Sequence, residues 1–258
     1  MFPFVAGLVA ATIVSLLARR AGALSPSGAA AATICGTLAV AAGWDWAALL
    51  IALFVTSTML GRIQRRVRDT RLSGRVAKGG ARDAMQVVAN GGAFVIASAG
   101  YWLHPHVLWQ MLGAGGLAAS TSDTWATEIG TLARAEPRSI LNGRRVVVGT
   151  SGGITLQGSV AALAGAAFIA TLAIAVRWPM RAAAAALVGG VLGCLVDSLL
   201  GASVQVRRWC PACASATEQD VHRCGTPTHV TGGWRWLNND VVNVISSACG
   251  AAAGAWLA

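Results

Sequence analysis

The chain has 258 residues, is 55% hydrophobic and only 12% charged, and carries a formal net charge of +10. Soluble domains run nearer 25% charged, and ten carboxylates cannot dress a soluble globule of this size, so an ordinary soluble enzyme is excluded. A mean hydropathy of +0.60 and long Ala/Val/Leu/Gly runs instead predict an all-α, polytopic membrane protein of about eight helices, and 6% aromatics argue against a β-barrel with aromatic girdles.

The apolar segments in chain order are 2–18, 27–43, 46–61, 84–102, 106–122, 153–176, 182–203 and 238–257. The first has no basic start, and its charges, Arg19 and Arg20, follow it, so it does not read as a cleaved signal peptide. The second is Ala- and Gly-rich, short enough for a re-entrant course. Only Trp44 and Asp45 separate it from the third, which predicts a tight hairpin or one broken pair. No segment differs enough in composition to be a separate soluble domain, so residues 1–258 read as one membrane domain with a Cys/His loop at 204–236.

Counting cations loop by loop sets the orientation. With the N-terminus outside, inner loops hold Arg19 and Arg20, eight cations from Arg62 to Arg82, then Arg134, Arg138, Arg144 and Arg145, then Arg207, Arg208, Arg223 and Arg235. Outer loops hold Arg177 and Arg181 alone. This asymmetry predicts a protein of the inner (plasma) membrane with both termini outside the cytoplasm. It also accounts for the basic charge without nucleic acid as a partner. The acids sort the same way, with only Asp45 outside. Chemistry at one face is expected, whereas a transporter more often places ionisable groups at the midplane.

Ionisable and amide side chains inside apolar segments are costly and therefore candidates for a site. Asp83, Gln86 and Asn90 share one helix face at the start of segment four; the alternative is an N-capping Asp83 and a helix–helix hydrogen bond from Asn90. Asp123 and Glu128 close segment five, about 140° apart on an ideal helix, so they flank a cleft rather than share a stripe. Gly149, Thr150, Ser151, Gly152 and Gly153, preceded by Arg144 and Arg145, offer backbone N–H groups where segment six begins. That suits an anion at a helix N-terminus, or a turn that allows close helix packing. Asp197 lies within segment seven between apolar neighbours, and ionised it requires a partner or a metal. Asp240, Asn243 and Ser247 form a stripe on segment eight, with Asn239 and Ser246 beside it.

Three cysteines, Cys35, Cys194 and Cys249, sit singly in apolar segments and read as packing residues. The others form Cys210-Pro-Ala-Cys213, then Cys224 and His229, a spacing that fits a small zinc knuckle, with His222 as an alternative fourth ligand. Unligated thiols are the competing reading, and a disulfide is not expected in a reducing cytoplasmic loop.

Taken in order, ArgAsp…Gln…AsnGly (82–91), SerAspThrTrpAlaThrGluIleGly (122–130), GlyThrSerGlyGlyIleThrLeuGlnGly (149–158), LeuValAspSerLeuLeuGlyAla with Gln205, and the CysProAlaCys…TrpArgTrpLeuAsnAsnAspValValAsn tail cover most of residues 78–250. They resemble domain-of-unknown-function family 92, the transmembrane-protein-19-like integral membrane proteins. That family includes the phytyl-phosphate kinase of plants and cyanobacteria, so the resemblance implies a kinase that turns a polyprenyl monophosphate into the diphosphate with a nucleoside triphosphate (CTP, UTP or ATP). No residue roles come with it.

The residues' own chemistry assigns those roles. Joining two phosphates requires charge neutralisation and positioning. Asp123, Glu128, Asp197 and Asp240 are expected to hold Mg²⁺. Arg144, Arg145 and the 149–153 turn are expected to bind phosphates, with Lys78, Arg82 and Asp83 beside them and Asn90, Asn239 and Asn243 orienting ligands. Membrane lipid and the isoprenoid substrate are the expected partners. Much of the Arg62–Arg82 stretch reads as a surface for anionic lipid head groups. A nucleotidyltransferase on a lipid phosphate would use the same residues. Prenyl transfer would favour Asp-rich motifs, which are absent, and a flippase would favour inverted repeats, which are not evident.

Overall fold

The computed structural model describes residues 2–71, 80–222 and 224–257. Eight helices appear among them: α1 (Phe2–Arg20), α2 (Pro26–Ala42), α3 (Trp44–Arg71), α4 (Ala84–Leu103), α5 (Val107–Gly130), α6 (Leu156–Ala175), α7 (Met180–Ser203) and α8 (Asn239–Ala255). Their starts follow local chemistry. Ser25 caps α2 through the N–H of Gly28, with Pro26 in the first turn. Asp83 and Gln86 close a reciprocal capping box on α4. Thr155 caps α6 and Asn238 caps α8.

The connections gather at two ends. At one, Arg82 exchanges backbone hydrogen bonds with Ala23 and Ser25, Arg62 reaches the carbonyl of Ala21, and Gln64 donates to Thr131. At the other, the Trp178 indole N–H donates to Asp45, and Trp46 packs on Phe94, Tyr101 and Trp178 with ring centres 4.6–5.3 Å apart. The helices therefore alternate in direction. Arg177 and Arg181 lie at the second end, and Arg19, Arg20, Arg62, Arg82, Arg134, Arg138, Arg144, Arg145, Arg207, Arg208 and Arg235 at the first.

Four helices are long and apolar enough to cross a membrane: Pro3–Arg20, Trp44–Gln64, Leu156–Ala175 and Met180–Ser203. The expected eight spans thus correspond to eight helices, of which four meet that test. Helices α2 and α8, with 17 residues each, are too short for it, whereas α5 differs by its position. Helix α5 is the hub, packed by α3, α4, α6, α7 and α8, and every residue from Gly113 to Ser122 is buried. A helix that faces protein on all sides there can be built of Gly, Ala, Ser and Thr. By contrast α1 shows Phe4, Val5, Leu8, Val9 and Ile13 to the outside.

Helices α5, α7 and α8 touch backbone to backbone. A Cβ on Gly189 would lie 2.3 Å from the Gly250 carbonyl oxygen and 2.6 Å from Gly115 Cα; on Gly193 it would lie 2.3 Å from Ala119 Cβ and 2.8 Å from the Ser246 carbonyl oxygen. The pairing advances four residues on α7 with four on α5 and minus four on α8. So α5 and α7 run parallel and α8 runs against them.

The boundaries depart from expectation in three places. Helix α3 continues to Arg71, because the stretch past Arg62 lacks Gly and Pro until Gly74. Helix α5 continues to Gly130, so Asp123 and Glu128 are helical. Helix α6 begins at Leu156 rather than 153. Small strands were not expected at all. Strands β1 (Arg138–Ser139) and β2 (Gly153–Ile154) pair, and β3 (Arg207–Cys210), β4 (Ser215–Thr217) and β5 (His229–Gly232) form an antiparallel sheet in the order β4-β3-β5.

Candidate functional site

The glycine contact fixes the level of the carboxylates. Asp123 follows Gly115 by eight residues and Asp197 follows Gly189 by eight, so each lies about 12 Å further toward the arginine-rich end. Asp197 accepts a hydrogen bond from Ser246 Oγ of α8 at 3.2 Å. All four candidate carboxylates are half-buried.

They do not converge on one point. Glu128 faces α3, where a Cβ on Gly61 would lie 3.4 Å from its Oε1, and Asp197 faces α8. Among the described residues, the set of His, Cys, Asp and Glu side chains whose ligand atoms lie together is the cysteine set, not the carboxylates. Glu128 and Asp197 address different neighbours. Among the described residues the four carboxylates do not form such a group.

Other candidates fall into structural positions. Asp83 is exposed and caps α4, accepting from the Gln86 N–H at 3.0 Å. Asn90 donates back to the Gln86 carbonyl at 2.9 Å. Arg82 donates to Thr58 at 3.0 Å and lies over the Phe54 ring, in the α2–α3–α4 corner. Lys78 lies outside the described residues. Asn239 and Asp240 occupy the first turn of α8, and Asn243 the next, half-buried on the way to Ser246.

The 149–153 turn corrects the helix-terminus reading. The α6 N-terminus is capped by Thr155, whose Oγ accepts from Gly158 at 3.0 Å, so residues 149–153 lie outside it. Within the turn, Thr150 N–H goes to Val147 and Gly153 N–H to Thr150. Gly152 has φ +73°, and a Cβ there would lie 2.4 Å from Ala202 Cβ and 2.6 Å from the Ser198 carbonyl oxygen. The turn packs on the end of α7, one turn beyond Asp197. Ser151 Oγ donates to Glu218 Oε1 at 3.0 Å, and buried Gln205 donates to both, at 3.2 and 3.1 Å. A carboxylate on Ser151 repels phosphate from that spot. Arg144 and Arg145 stay exposed on the same loop, with Arg145 paired to Glu136 at 3.1 Å.

Glu218 and its bonds were missed in the sequence. The available signal was a pair of acids, Glu218 and Asp220, in a loop otherwise dominated by cations and cysteines. The fourth member of the cysteine set is also corrected. Cys210, Cys213, His222 and Cys224 have ligand atoms within 4.8 Å of one another. His229 instead lies opposite Trp209 in the β3–β5 register, and both are exposed, whereas Cys210 next in the strand is buried. Alternation along β3 sends Cys210 to the other face. In this cluster, hydrogen bonding to Thr226 and then His222 pulls the Cys224 thiol down to about 6, while its bond to Cys224 pushes Cys213 up to about 11.

Residues 9–251 match the integral membrane protein family DUF92. The chain belongs to that family. This DUF92 protein is 27% identical to Protein PGR of Arabidopsis thaliana, over 95% of this chain and 92% of that one. It is also 27% identical to an uncharacterized membrane protein of Methanocaldococcus jannaschii, over 74% of this chain and 78% of the relative. No solved structure matches the DUF92 chain.

Proposed function

We propose that this protein is a polyprenyl-phosphate kinase, moving the terminal phosphoryl group of CTP, UTP or ATP to a phytyl-like monophosphate. The observation that carries the reading is the Gly115–Gly189–Gly250 contact. It holds Asp123 and Asp197 at one level, with Ser246 of α8 bonded to Asp197, near the cation-rich end of a bundle whose outer faces are apolar. Hard oxygen donors near a basic end suit two phosphates. Apolar faces leading up to them suit a prenyl tail.

In this reading all eight helices lie in the bilayer of the plasma membrane. The arginine-rich end faces the cytoplasm and both termini face away from it. An oxygen of the lipid phosphate attacks the γ-phosphorus, the bond from that phosphorus to the β–γ bridging oxygen breaks, and a nucleoside diphosphate leaves. The acceptor oxygen is already anionic, so no general base is required. Positioning and charge neutralisation supply the catalysis. Magnesium is commonly held by one or two carboxylates together with substrate phosphates, which fits Asp123 and Asp197 and does not need all four acids. Bound there, it would offset the charge developing on the transferred group. Ser246 keeps the Asp197 carboxylate oriented, Asp240, Asn239 and Asn243 face the same end from α8, and Arg144 and Arg145 attract the nucleotide.

The test uses protein purified in detergent with phytyl, geranylgeranyl or farnesyl monophosphate, Mg²⁺ and each nucleoside triphosphate, with products read by mass spectrometry. The expected product is the lipid diphosphate, lost in Asp197→Asn at near-normal folded yield. A nucleotide–lipid with pyrophosphate would instead make it a nucleotidyltransferase. Absence of any product from folded, lipid-bound protein would refute both.

A further inference from the structure

The cysteine cluster plays no part in the phosphate chemistry, yet its geometry is that of a ligand set. Cys210 Sγ and Cys224 Sγ are 3.7 Å apart, and His222 Nδ1 is 3.2 Å from Cys224 Sγ. Zn–S bonds of about 2.3 Å at tetrahedral angles put sulfurs about 3.8 Å apart, whereas a disulfide would bring them to about 2.05 Å.

The backbone prepares two turns, each giving two ligands. Cys210 pairs with Ser215 at the end of the β3–β4 hairpin, and the residues between make the tip, with Ala214 in the left-handed region at φ +46°. In the second turn His222 N–H bonds Thr226 and Gly225 N–H bonds His222, with Gly225 at φ +83° and a bridge between Val221 and Pro227 closing its base. The sheet these turns complete has strands of only three and four residues. So small a unit buries too little apolar surface to hold itself together, the situation in which a structural metal supplies the folding energy.

We propose that Cys210, Cys213, His222 and Cys224 bind one zinc ion, and that this ion keeps the β3–β5 sheet folded and so holds Glu218 on Ser151. Glu218 directly follows β4 and Gln205 closely precedes β3, so the sheet ties the long α7–α8 loop to the 149–153 turn. The inference stands apart from the kinase reading.

The test measures metal in the full-length protein purified in detergent without chelator. The expected result is a single zinc per chain, lost in Cys213→Ser, Cys224→Ser and His222→Ala and kept in His229→Ala. Unfolding of a variant would not mask the answer, because wild-type protein stripped with chelator can be titrated with Co²⁺. Tetrahedral thiolate–cobalt absorption is expected, along with faster proteolytic cutting between residues 205 and 238 in the stripped form while helical circular dichroism is kept. Substoichiometric zinc with no such cobalt bands would overturn the site. Loss in His229→Ala with retention in His222→Ala would overturn this ligand set. Unchanged proteolysis after stripping would overturn the claim that zinc holds the sheet.

Discussion

Gly189→Ala adds one methyl group where three backbones meet. Its carbon would stand 2.3 Å from the Gly250 carbonyl oxygen and 2.6 Å from Gly115 Cα, against the 3.4–4 Å of ordinary contact. Neither neighbour is a side chain that can swing away, so α5 and α8 must each move off α7 by about 1 Å. Overpacking of this kind costs about 3 kcal/mol at the upper end, and better helix propensity returns about 1 kcal/mol. The net loss of about 2 kcal/mol lowers Tm by about 4–8 °C, read by circular dichroism in detergent. The matched control is Gly92→Ala on α4, where the added carbon meets only Val88 Cγ1 at 3.5 Å. It keeps the propensity gain and raises Tm by about 2–4 °C. Because Asp197 lies two turns along α7 from the contact and Ser246 one turn along α8, Gly189→Ala is also expected to slow the proposed phosphoryl transfer, and Gly92→Ala is not. Equal Tm values for the two variants would refute the backbone contact and the levelling of Asp123 with Asp197 that rests on it.

Asp83→Ala removes the α4 capping box and lowers Tm by about 2–4 °C, from a loss of about 1 kcal/mol, with transfer unchanged. Lost transfer at unchanged Tm would move Asp83 into the phosphate site. Trp178→Phe removes the donor to Asp45 and leaves a half-buried carboxylate short of a partner. A loss of about 2 kcal/mol appears as a Tm lower by about 4–8 °C without change in substrate selectivity, and a Tm within a degree of wild type would show that the bond contributes nothing.

The helices were legible because each apolar segment is long, and one of them starts at a recognisable signal, Asp83 with Gln86. The alternation of ends was legible too, because lipid-facing topology sorts arginines. Of the candidate site, one contact was foreshadowed. Asp197 stood out by its apolar flanks, and Ser246, which bonds it, lay on a stripe with Asn239 and Asn243, but nothing in sequence spacing shows that Glu128 turns toward α3 while Asp197 turns toward α8. The 149–153 turn was misread because its glycines suit an anion and a tight packing turn equally; Thr155, three residues before Gly158, was the cap that distinguished them. Strands of two to four residues carry no periodicity, so the β3–β5 sheet was invisible. With it went the alternation that separates His229 from Cys210.

The hub position of α5 has a consequence for how the chain is made. Its Gly113–Ser122 stretch is covered largely by α6, α7 and α8, and all three emerge from the ribosome after it. During synthesis α5 has α3 and α4 beside it but not the helices whose backbones it meets most closely, and its own Gly, Ser and Thr content gives it weak attraction for lipid. Assembly therefore cannot proceed strictly helix by helix. The centre of the bundle waits, loosely held, until α8 arrives and locks Gly250 against Gly115 and Gly189.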